Sequence, residues 1–140
     1  MLRKIIPNVI HDQEVVHMTR KATVRQAARL MHKHNVGSVL IMEKNVLKGI
    51  VTVADMTYRV VAQGRDPETT HLGEIMTPDP DTISPDGTAI EALRMMQDGG
   101  YRHLPVVEDG VVLGVASRRD FHGDEKARLE EETGLWERIA

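Results

Sequence analysis

The chain has 140 residues, 41% of them hydrophobic, which is enough for one ordinary domain with a buried core. A formal net charge of −3 and an aromatic content of 3% argue against nucleic-acid binding, since neither a general basic field nor a stacking platform is present. The lack of cysteine excludes disulfides, thiolate catalysis and zinc bound by cysteine, and no apolar stretch approaches the length of a membrane span. We therefore expect a protein that binds neither nucleic acid nor membrane. Residues 1–6 resemble the start of a signal peptide, but Pro7 and Asn8 interrupt it, so we expect a cytoplasmic location.

The sequence contains an internal repeat. Residues 23–55 align with residues 88–120 at a constant offset of 65 positions and without a gap, so that Asp55 corresponds to Asp120. Internal repeats are single structural units that pack against one another. We therefore expect the function to lie between two related halves.

The first repeat is predicted to fold as strand, helix, strand, strand and helix. Its first helix begins at a capping box, Thr23 with Gln26, after which apolar residues follow the i, i+3, i+4, i+7 spacing of an amphipathic helix. Asn45 lies in the turn between the next two strands, where we expect a positive φ. A second box, Thr52 with Asp55, predicts the start of the last helix. In chain order, the predicted elements lie at 14–18, from Thr23, at 39–42, at 46–52 and from Thr52.

The second repeat is predicted to have the same order of elements. A capping box, Thr88 with Glu91, opens its amphipathic helix, and Gly110 occupies the turn position that Asn45 has in the first repeat. The last box, Ser117 with the aspartate at the end of the repeat, again predicts a helix start. The predicted elements lie at 81–84, from Thr88, at 104–107, at 111–117 and from Ser117.

Two segments lie outside the repeats. Gly64 is expected to end the last helix of the first repeat, and a polar linker follows at 65–71. After Phe121 the chain is highly charged, and four apolar residues at roughly helical spacing predict an added helix. These residues are Leu129, Leu135, Trp136 and Ile139. Their apolar stripe either packs on the parent domain or docks on a dimer mate or another protein.

Taken together, these features resemble a pair of cystathionine-β-synthase (CBS) domains, a tandem unit called a Bateman module. The resemblance covers nearly all of the chain from Ile5 to about Phe121. It depends on the repeat, on Gly-Ile-Val-Thr-x-x-Asp at 49–55, on Gly-Val-x-Ser-x-x-Asp at 114–120 and on Tyr-Arg-His-Leu-Pro-Val-Val at 101–107. It implies an α/β (α+β) fold in which two βαββα motifs are related by pseudo-two-fold symmetry, plus a C-terminal helix. The expected parts of this one integrated module are a first motif at 1–64, a linker at 65–71, a second motif at 72–122 and a C-terminal helical tail at 123–140.

The two boxes at the strand-to-helix junctions are candidates for ligand binding. An ionised carboxylate only accepts hydrogen bonds, so Asp55 and Asp120 can each bind both hydroxyls of a ribose. Thr52 and Ser117 lie three residues earlier, at a helix start whose free N–H groups favour a phosphate. The alternative is that the boxes only cap helices, which stabilises a helix start by ~0.5 to 2 kcal/mol without any ligand. Both roles can coexist in one residue.

The two halves differ most at positions that would line a ligand site. Gly37-Ser38 of the first repeat corresponds to Arg102-His103 of the second, and Val53-Ala54 corresponds to Arg118-Arg119. These cations predict that a phosphate tail lies near Asp120, because a guanidinium can bond two phosphate oxygens at once. The alternatives are a solvated helix start for the two adjacent arginines, and a structural salt bridge or surface role for Arg102-His103.

The resemblance implies two clefts that bind adenosine-containing ligands such as AMP, ADP, ATP or S-adenosylmethionine. The first cleft is expected to use Val16, Val36, Gly37, Arg102, His103, Val115, Ser117, Arg118, Arg119 and Asp120. The second cleft has fewer charged residues and is expected to bind adenosine less firmly or to stay empty. Its expected residues are Ile50, Thr52, Asp55 and Tyr101.

We therefore predict a regulatory module and not an enzyme. It would bind an adenosine nucleotide, AMP or ATP, form a homodimer, and signal to a protein partner in trans through a rearrangement of the dimer or of the two motifs. No catalytic cofactor is expected, and no metal site, since His32 and His34 lie on different faces of a helix. The alternative function is a dimerisation and protein-interaction scaffold that needs no ligand.

Overall fold

The computed structural model describes residues 2–139, with side chains described for residues 2–131. The chain divides into two compact units. We call residues 14–80 the central unit, and residues 1–13 together with 81–140 the terminal unit. Each unit contains one copy of the repeat, and the predicted mixed α/β fold with a C-terminal helix is confirmed.

The first helix of the central unit, α1, spans Val24–His34 and begins as predicted. The side chain of Thr23 accepts the Gln26 N–H while the Gln26 side chain accepts the Thr23 N–H, so two helix-start donors are satisfied. The helix ends at Asn35, which adopts the left-handed conformation with φ of 52°. The apolar residues spaced along one face are buried, namely Val24, Ala27 and Met31.

The sheet of the central unit has four strands in the order β1-β2-β3-β4. They span His17–Met18 (β1), Ser38–Glu43 (β2), Val46–Thr52 (β3) and Thr77–Pro78 (β4). Strand β1 runs parallel to β2, and the other two pairings are antiparallel. Lys44 and Asn45 both have positive φ in the β2–β3 turn. The prediction for Asn45 is confirmed, and the positive φ of Lys44 was not predicted.

A helical segment follows β3 in the central unit. It begins as α2 at Val53–Asp55 and continues as a π-helix over Met56–Val61. Gly64 follows with φ of 69°, consistent with its predicted role at the helix end. A short helix, α3 at Leu72–Ile75, then leads into the edge strand β4.

The terminal unit repeats the helix and hairpin of the central unit. Helix α4 spans Ala89–Gly99, and strands β5 and β6 span His103–Glu108 and Val111–Ser117 in an antiparallel pair. Asp109 and Gly110 have positive φ in the intervening turn, as predicted for the glycine. The hairpins of the two units share a register irregularity at equivalent positions, between residues 41 and 42 and between residues 106 and 107.

The amino-terminal residues pack with the second repeat rather than with the first. The Ala89 N–H donates to the Arg3 carbonyl at 2.8 Å, and the Ile5 N–H donates to the Gly87 carbonyl at 2.8 Å. A π-type turn at Ile5–Val9 follows. In the central unit the corresponding bridge joins Thr23 to His71, a residue that precedes the second repeat. Each helix start is therefore bridged by the segment that precedes the other repeat.

The chain after β6 differs from the chain after β3. The box at Ser117 opens only a single 3-10 turn, Arg118–Asp120, and Phe121 is then extended with φ of −96° and ψ of 146°. The Phe121 side chain is buried in the core, which accounts for the break in the predicted helix. The added helix, α5, begins two residues later and spans Gly123–Ile139.

Each unit has its own hydrophobic core. In the central unit, α1 and α3 pack against the face of the sheet that carries Val39, Ile41 and Val51. In the terminal unit, α4 packs against Leu104, Val106 and Ala116. Leu129 of α5 is buried in that second core, whereas the side chains of Leu135, Trp136 and Ile139 lie outside those described. For those three residues, packing on the parent domain and docking on a partner stay alternative predictions.

Candidate functional site at the strand-to-helix junctions

The sheet face opposite each core carries several of the predicted site residues. In β6, Ala116 is buried in the core, so its neighbours Val115 and Ser117 lie on the other face. His103 of β5 is paired with Ser117, which brings His103 to the same end of the hairpin. Thr52 has the equivalent position at the end of β3, opposite Ser38.

One oxygen of the Asp120 carboxylate closes the turn at this junction. The Ser117 N–H donates to Asp120 Oδ2 at 2.7 Å, which closes the predicted box. Among residues 2–131, Oδ1 of this carboxylate has no hydrogen-bond partner, and the side chain is partly exposed. A carboxylate has about four acceptor positions on two oxygens, so capping leaves acceptor capacity for a ligand.

Cationic residues surround the Asp120 junction. The Arg118 N–H donates to the Arg102 carbonyl at 2.9 Å, so the two arginines are neighbours through the backbone although 16 positions apart in the chain. Arg102 and Arg119 are exposed, and Arg118 is half-buried. The terminal unit thus brings together seven of the predicted residues: Arg102, His103, Val115, Ser117, Arg118, Arg119 and Asp120.

The Asp55 junction has the same bond from the backbone to the aspartate, two further contacts with the threonine hydroxyl, and a different neighbour. Asp55 Oδ2 accepts the Thr52 N–H at 2.8 Å and lies 3.2 Å from Thr52 Oγ1, and the Asp55 N–H donates back to that hydroxyl at 3.3 Å. Its other oxygen, Oδ1, lies 3.6 Å from Arg59 Nε. Arg59 is held in place because its Nη1 donates to the Ile75 carbonyl at 2.8 Å. Both oxygens of Asp55 therefore have partners within the central unit.

Arg59 was missed by the sequence analysis, although a signal was present. An acidic residue four positions before an arginine forms an ion pair on one face of a helix. Applied to Asp55, this spacing would have identified Arg59 as its neighbour. The bond to Ile75 could not have been found this way, because α3 is distant in the sequence.

Tyr101 lies in the terminal unit and is hydrogen-bonded there. Its hydroxyl donates to Asp81 Oδ2 at 2.8 Å. Burial of the ring is the main cause that raises the pKa of Tyr101 well above its usual value, and the hydrogen bond to Asp81 adds to it. The phenol is therefore a neutral donor at physiological pH.

The remaining predicted residues belong to the central unit. Their predicted association with residues of the terminal unit in two nucleotide clefts stays a prediction. For the first cleft these residues are Val16, Val36 and Gly37, and for the second they are Ile50, Thr52 and Asp55.

An ion pair between the amino-terminal segment and α5 adjoins the Asp120 turn. Arg3 Nε donates to Glu125 Oε2 at 3.0 Å, and Arg3 Nη2 donates to Glu125 Oε1 at 2.7 Å. The hydrogen bonds from Arg3 hold the pKa of the Glu125 carboxyl below its ordinary value of 4.5, against the opposing effect of burial. No local pattern could have predicted this pair, because 122 positions separate its members.

No helix within the described part of the chain is both long and apolar enough to cross a membrane.

Comparison with known proteins identifies the repeat. The family model described as "CBS domain" matches twice, at residues 8–62 and 72–122. The chain is 40% identical over 109 residues to the CBS domain-containing protein CBSCBSPB2 of Arabidopsis thaliana. The match covers 77% of this chain and 20% of that protein. The chain is also 33% identical over 108 residues to the CBS domain-containing protein YhcV of Bacillus subtilis, and this match covers 77% of the chain and 76% of YhcV.

A solved structure with a similar fold is a CBS domain protein from Pyrobaculum aerophilum complexed with AMP. It has a TM-score of 0.75 and 25% sequence identity, and the match covers 86% of this chain and 95% of that one. The chain spans only a fifth to about three fifths of the length of the first three curated relatives that it matches. None of the three proteins described above is named as an enzyme.

Proposed function

Because this chain belongs to the CBS domain family and carries two copies of the domain, we propose that it is a regulatory module that binds an adenosine nucleotide, AMP or ATP, through Asp120. Its role would be to sense the ligand and not to catalyse a reaction. The observation that carries the proposal is the Asp120 carboxylate, whose Oδ2 accepts the Ser117 N–H and whose Oδ1 has no hydrogen-bond partner among residues 2–131. The complex of a family member with AMP supports the class of ligand.

The chemistry of the junction suits a ribose. The two hydroxyls of a ribose are donors, and a carboxylate that already has a fixed orientation loses little entropy when it accepts them. The bond from the Ser117 N–H supplies that orientation at Asp120. A hydrogen bond to a charged group contributes about 1.5 to 3 kcal/mol.

The cations around Asp120 suit the phosphate. Arg118 and Arg119 lie in a helical turn, and Arg102 is joined to it through the backbone. A guanidinium can bond two phosphate oxygens at once, so these arginines offer matching donors for a phosphate. We expect Arg102 or His103 to reach the phosphate, with the arginines of the turn beside it.

The output of the module would be a change in its assembly. We propose a homodimer, supported by an apolar surface on the segment 53–61, where Val53, Tyr58 and Val61 are 54%, 68% and 76% exposed. A protein partner in trans would then respond to the ligand-dependent rearrangement. A cytoplasmic location stays a prediction from the sequence.

Thermal unfolding in the presence of AMP, ADP, ATP and S-adenosylmethionine tests the nucleotide proposal. A ligand at 100 times its Kd adds about 2.7 kcal/mol to the free energy of unfolding, which raises the Tm by roughly 5 to 10 °C for a chain of this size. The test variant is Asp120→Asn, because an asparagine oxygen still accepts the Ser117 N–H while the charge is lost. We expect this variant to lose the ligand-induced shift.

The matched control is Asp55→Asn, which makes the same change at the equivalent junction of the central unit. It should keep the shift, because the Asp55 carboxylate already has Arg59 as a partner. If protein free of bound nucleotide shows no shift with any of these ligands, the sensor proposal is wrong. The ligand-independent scaffold then becomes the better explanation, and the apolar surface at 53–61 becomes the site to investigate.

A further inference from the structure

We propose that Arg3 and Glu125 form a positioning pair for Asp120, and that through this pair ligand binding is coupled to the docking of α5. The inference rests on the proposed function, since it assigns Asp120 to the ligand. It goes beyond that function by naming a route from the ligand to the carboxy-terminal helix. All the contacts involved lie within the terminal unit.

The Arg3 guanidinium joins three segments of the chain. Besides its two bonds to Glu125, its Nη2 donates to the Asp120 carbonyl at 3.3 Å, and its Nη1 donates to the Asn8 carbonyl at 2.6 Å. A planar guanidinium has five donors in a rigid arrangement, so the groups that it binds are fixed relative to one another. Arg3 therefore fixes the backbone of the ligand-binding residue relative to the amino-terminal segment.

Glu125 extends the connection into α5. Its Oε1 accepts the His122 N–H at 2.8 Å as well as the bond from Arg3. His122 immediately precedes α5, and Glu125 is the third residue of that helix, so the carboxylate satisfies a donor at the helix start. One carboxylate thus holds both the beginning of α5 and the arginine that binds the Asp120 carbonyl.

The ion pair between Arg3 and Glu125 is largely shielded from water, which strengthens it. The Arg3 and Glu125 side chains are 20% and 10% exposed, and both carboxylate oxygens are bonded to the guanidinium. A bidentate pair with little exposure is screened less than a surface pair, and each member is costly to leave unpaired. By contrast, Arg20 and Glu43 form an ion pair with 49% and 34% of their side chains exposed.

This arrangement predicts reciprocal coupling. A ligand that binds the Asp120 side chain restrains the turn 118–122, and the turn is bonded to α5 through Arg3 and Glu125. Coupling between two equilibria is symmetric. If the bound ligand stabilises the docking of α5, then a change that destabilises this docking must weaken ligand binding by the same free energy.

The first experiment compares nucleotide affinity in the wild type and in Arg3→Gln by titration calorimetry, well below the Tm so that both are folded. Arg3→Gln should bind AMP or ATP roughly tenfold more weakly, because a poorly positioned Asp120 should lose about as much affinity as one hydrogen bond to a charged group provides. Arg3→Lys should recover part of the affinity, because it keeps the charge but cannot make all four bonds. Arg20→Gln is the control for loss of an exposed ion pair and should leave the affinity unchanged.

The second experiment uses no ligand. Hydrogen exchange of the free protein should be faster in Arg3→Gln than in the wild type at the Ser117 and His122 amides, whose acceptors are Asp120 and Glu125. The same amides should be unaffected in Arg20→Gln. With nucleotide added, amides at 123–131 should gain protection in the wild type and not in Arg3→Gln.

The outcomes separate the two proposals. If the wild type binds no nucleotide, the proposed function is wrong, and exchange in the free protein still decides whether Arg3 positions the turn. If the wild type binds and Arg3→Gln binds equally well, Arg3 contributes only stability and the positioning role is wrong. Equal exchange at Ser117 and His122 in both proteins would overturn the pair as a restraint on the turn.

Discussion

At the level of single residues, the two junction aspartates each accept the backbone N–H three positions earlier and differ in their other partners. Asp55 accepts the Thr52 N–H and Asp120 accepts the Ser117 N–H, at 2.8 and 2.7 Å. The second oxygen of Asp55 faces Arg59, whereas Arg3 reaches only the backbone carbonyl of Asp120. An arginine paired with a carboxylate occupies part of its acceptor capacity, so we expect the aspartate without such a pair to be the better ligand acceptor.

A single residue, Glu125, also predicts how the stability of the fold depends on pH. The pKa of Glu125 is lowered in the folded protein, chiefly by its hydrogen bonds from Arg3. A group with a lowered folded pKa stabilises the fold above its unfolded pKa, and that contribution is lost as the pH falls through the folded pKa. We expect Glu125→Gln to cost about 1.5 to 3 kcal/mol at pH 7 and progressively less below pH 4.5.

Urea unfolding of both proteins between pH 7 and pH 3 measures this difference. Glu74→Gln is the control, since Glu74 also has a lowered pKa but forms its ion pair on an exposed surface. We expect a much smaller effect for Glu74 because water screens that pair. A stability difference for Glu125→Gln that does not change with pH would show that its charge is not what stabilises the terminal unit.

At the level of elements, the segment after each hairpin determines what its unit presents to other molecules. After β3 the helical segment runs from 53 to 61 and exposes Val53, Tyr58 and Val61. After β6 it stops at Asp120, because Phe121 turns into the core. The central unit therefore has an exposed apolar helical surface, and the terminal unit continues into α5 instead.

This contrast predicts where a dimer forms. Val61→Glu places a charge on the apolar helical surface and should weaken self-association at least tenfold, because a buried unpaired charge is costly. Analytical ultracentrifugation over a concentration series measures the dimer Kd. Val46→Glu is the control, since Val46 is 51% exposed in the same unit but lies at the start of β3. Equal weakening by both variants, or by neither, would place the interface elsewhere.

At the level of the whole molecule, the two repeats form two similar units whose junction carboxylates have different neighbours. Each has a helix, a hairpin and a core of its own. Within the described residues, the carboxylate with an unpartnered oxygen and its neighbouring cations are in the terminal unit, and the carboxylate paired with an arginine is in the central unit. We therefore expect one tightly bound nucleotide per chain rather than two.

Titration calorimetry gives this stoichiometry directly. The wild type should bind one equivalent of nucleotide, and Arg59→Gln should add a second, weaker binding event by removing the partner of Asp55. Arg65→Gln is the control, since it removes an arginine from an exposed ion pair of the same unit. Two equivalent sites in the wild type would contradict the asymmetry.

Much of the fold follows from local patterns in this sequence. The boxes at Thr23 and Thr88 predicted the starts of α1 and α4, and the predicted second strands of both hairpins have the bounds observed for β3 and β6. These features depend on residues within a few positions of one another, so spacing is sufficient to reveal them. The helical start predicted at Ser117 ends after one turn, because burial of Phe121 is a tertiary effect.

The sequence by itself determined the duplication, the first helix and the hairpin of each repeat, the CBS family and the identity of the two junction aspartates. Only the tertiary structure decided how those aspartates differ and how the amino-terminal segment is joined to α5. Arg59 is bound to Ile75, and Arg3 to Glu125, through contacts between segments that no short-range pattern relates. The physical reason is that hydrogen bonds and ion pairs act through space over a few ångströms, whereas helix and strand periodicities act along the chain.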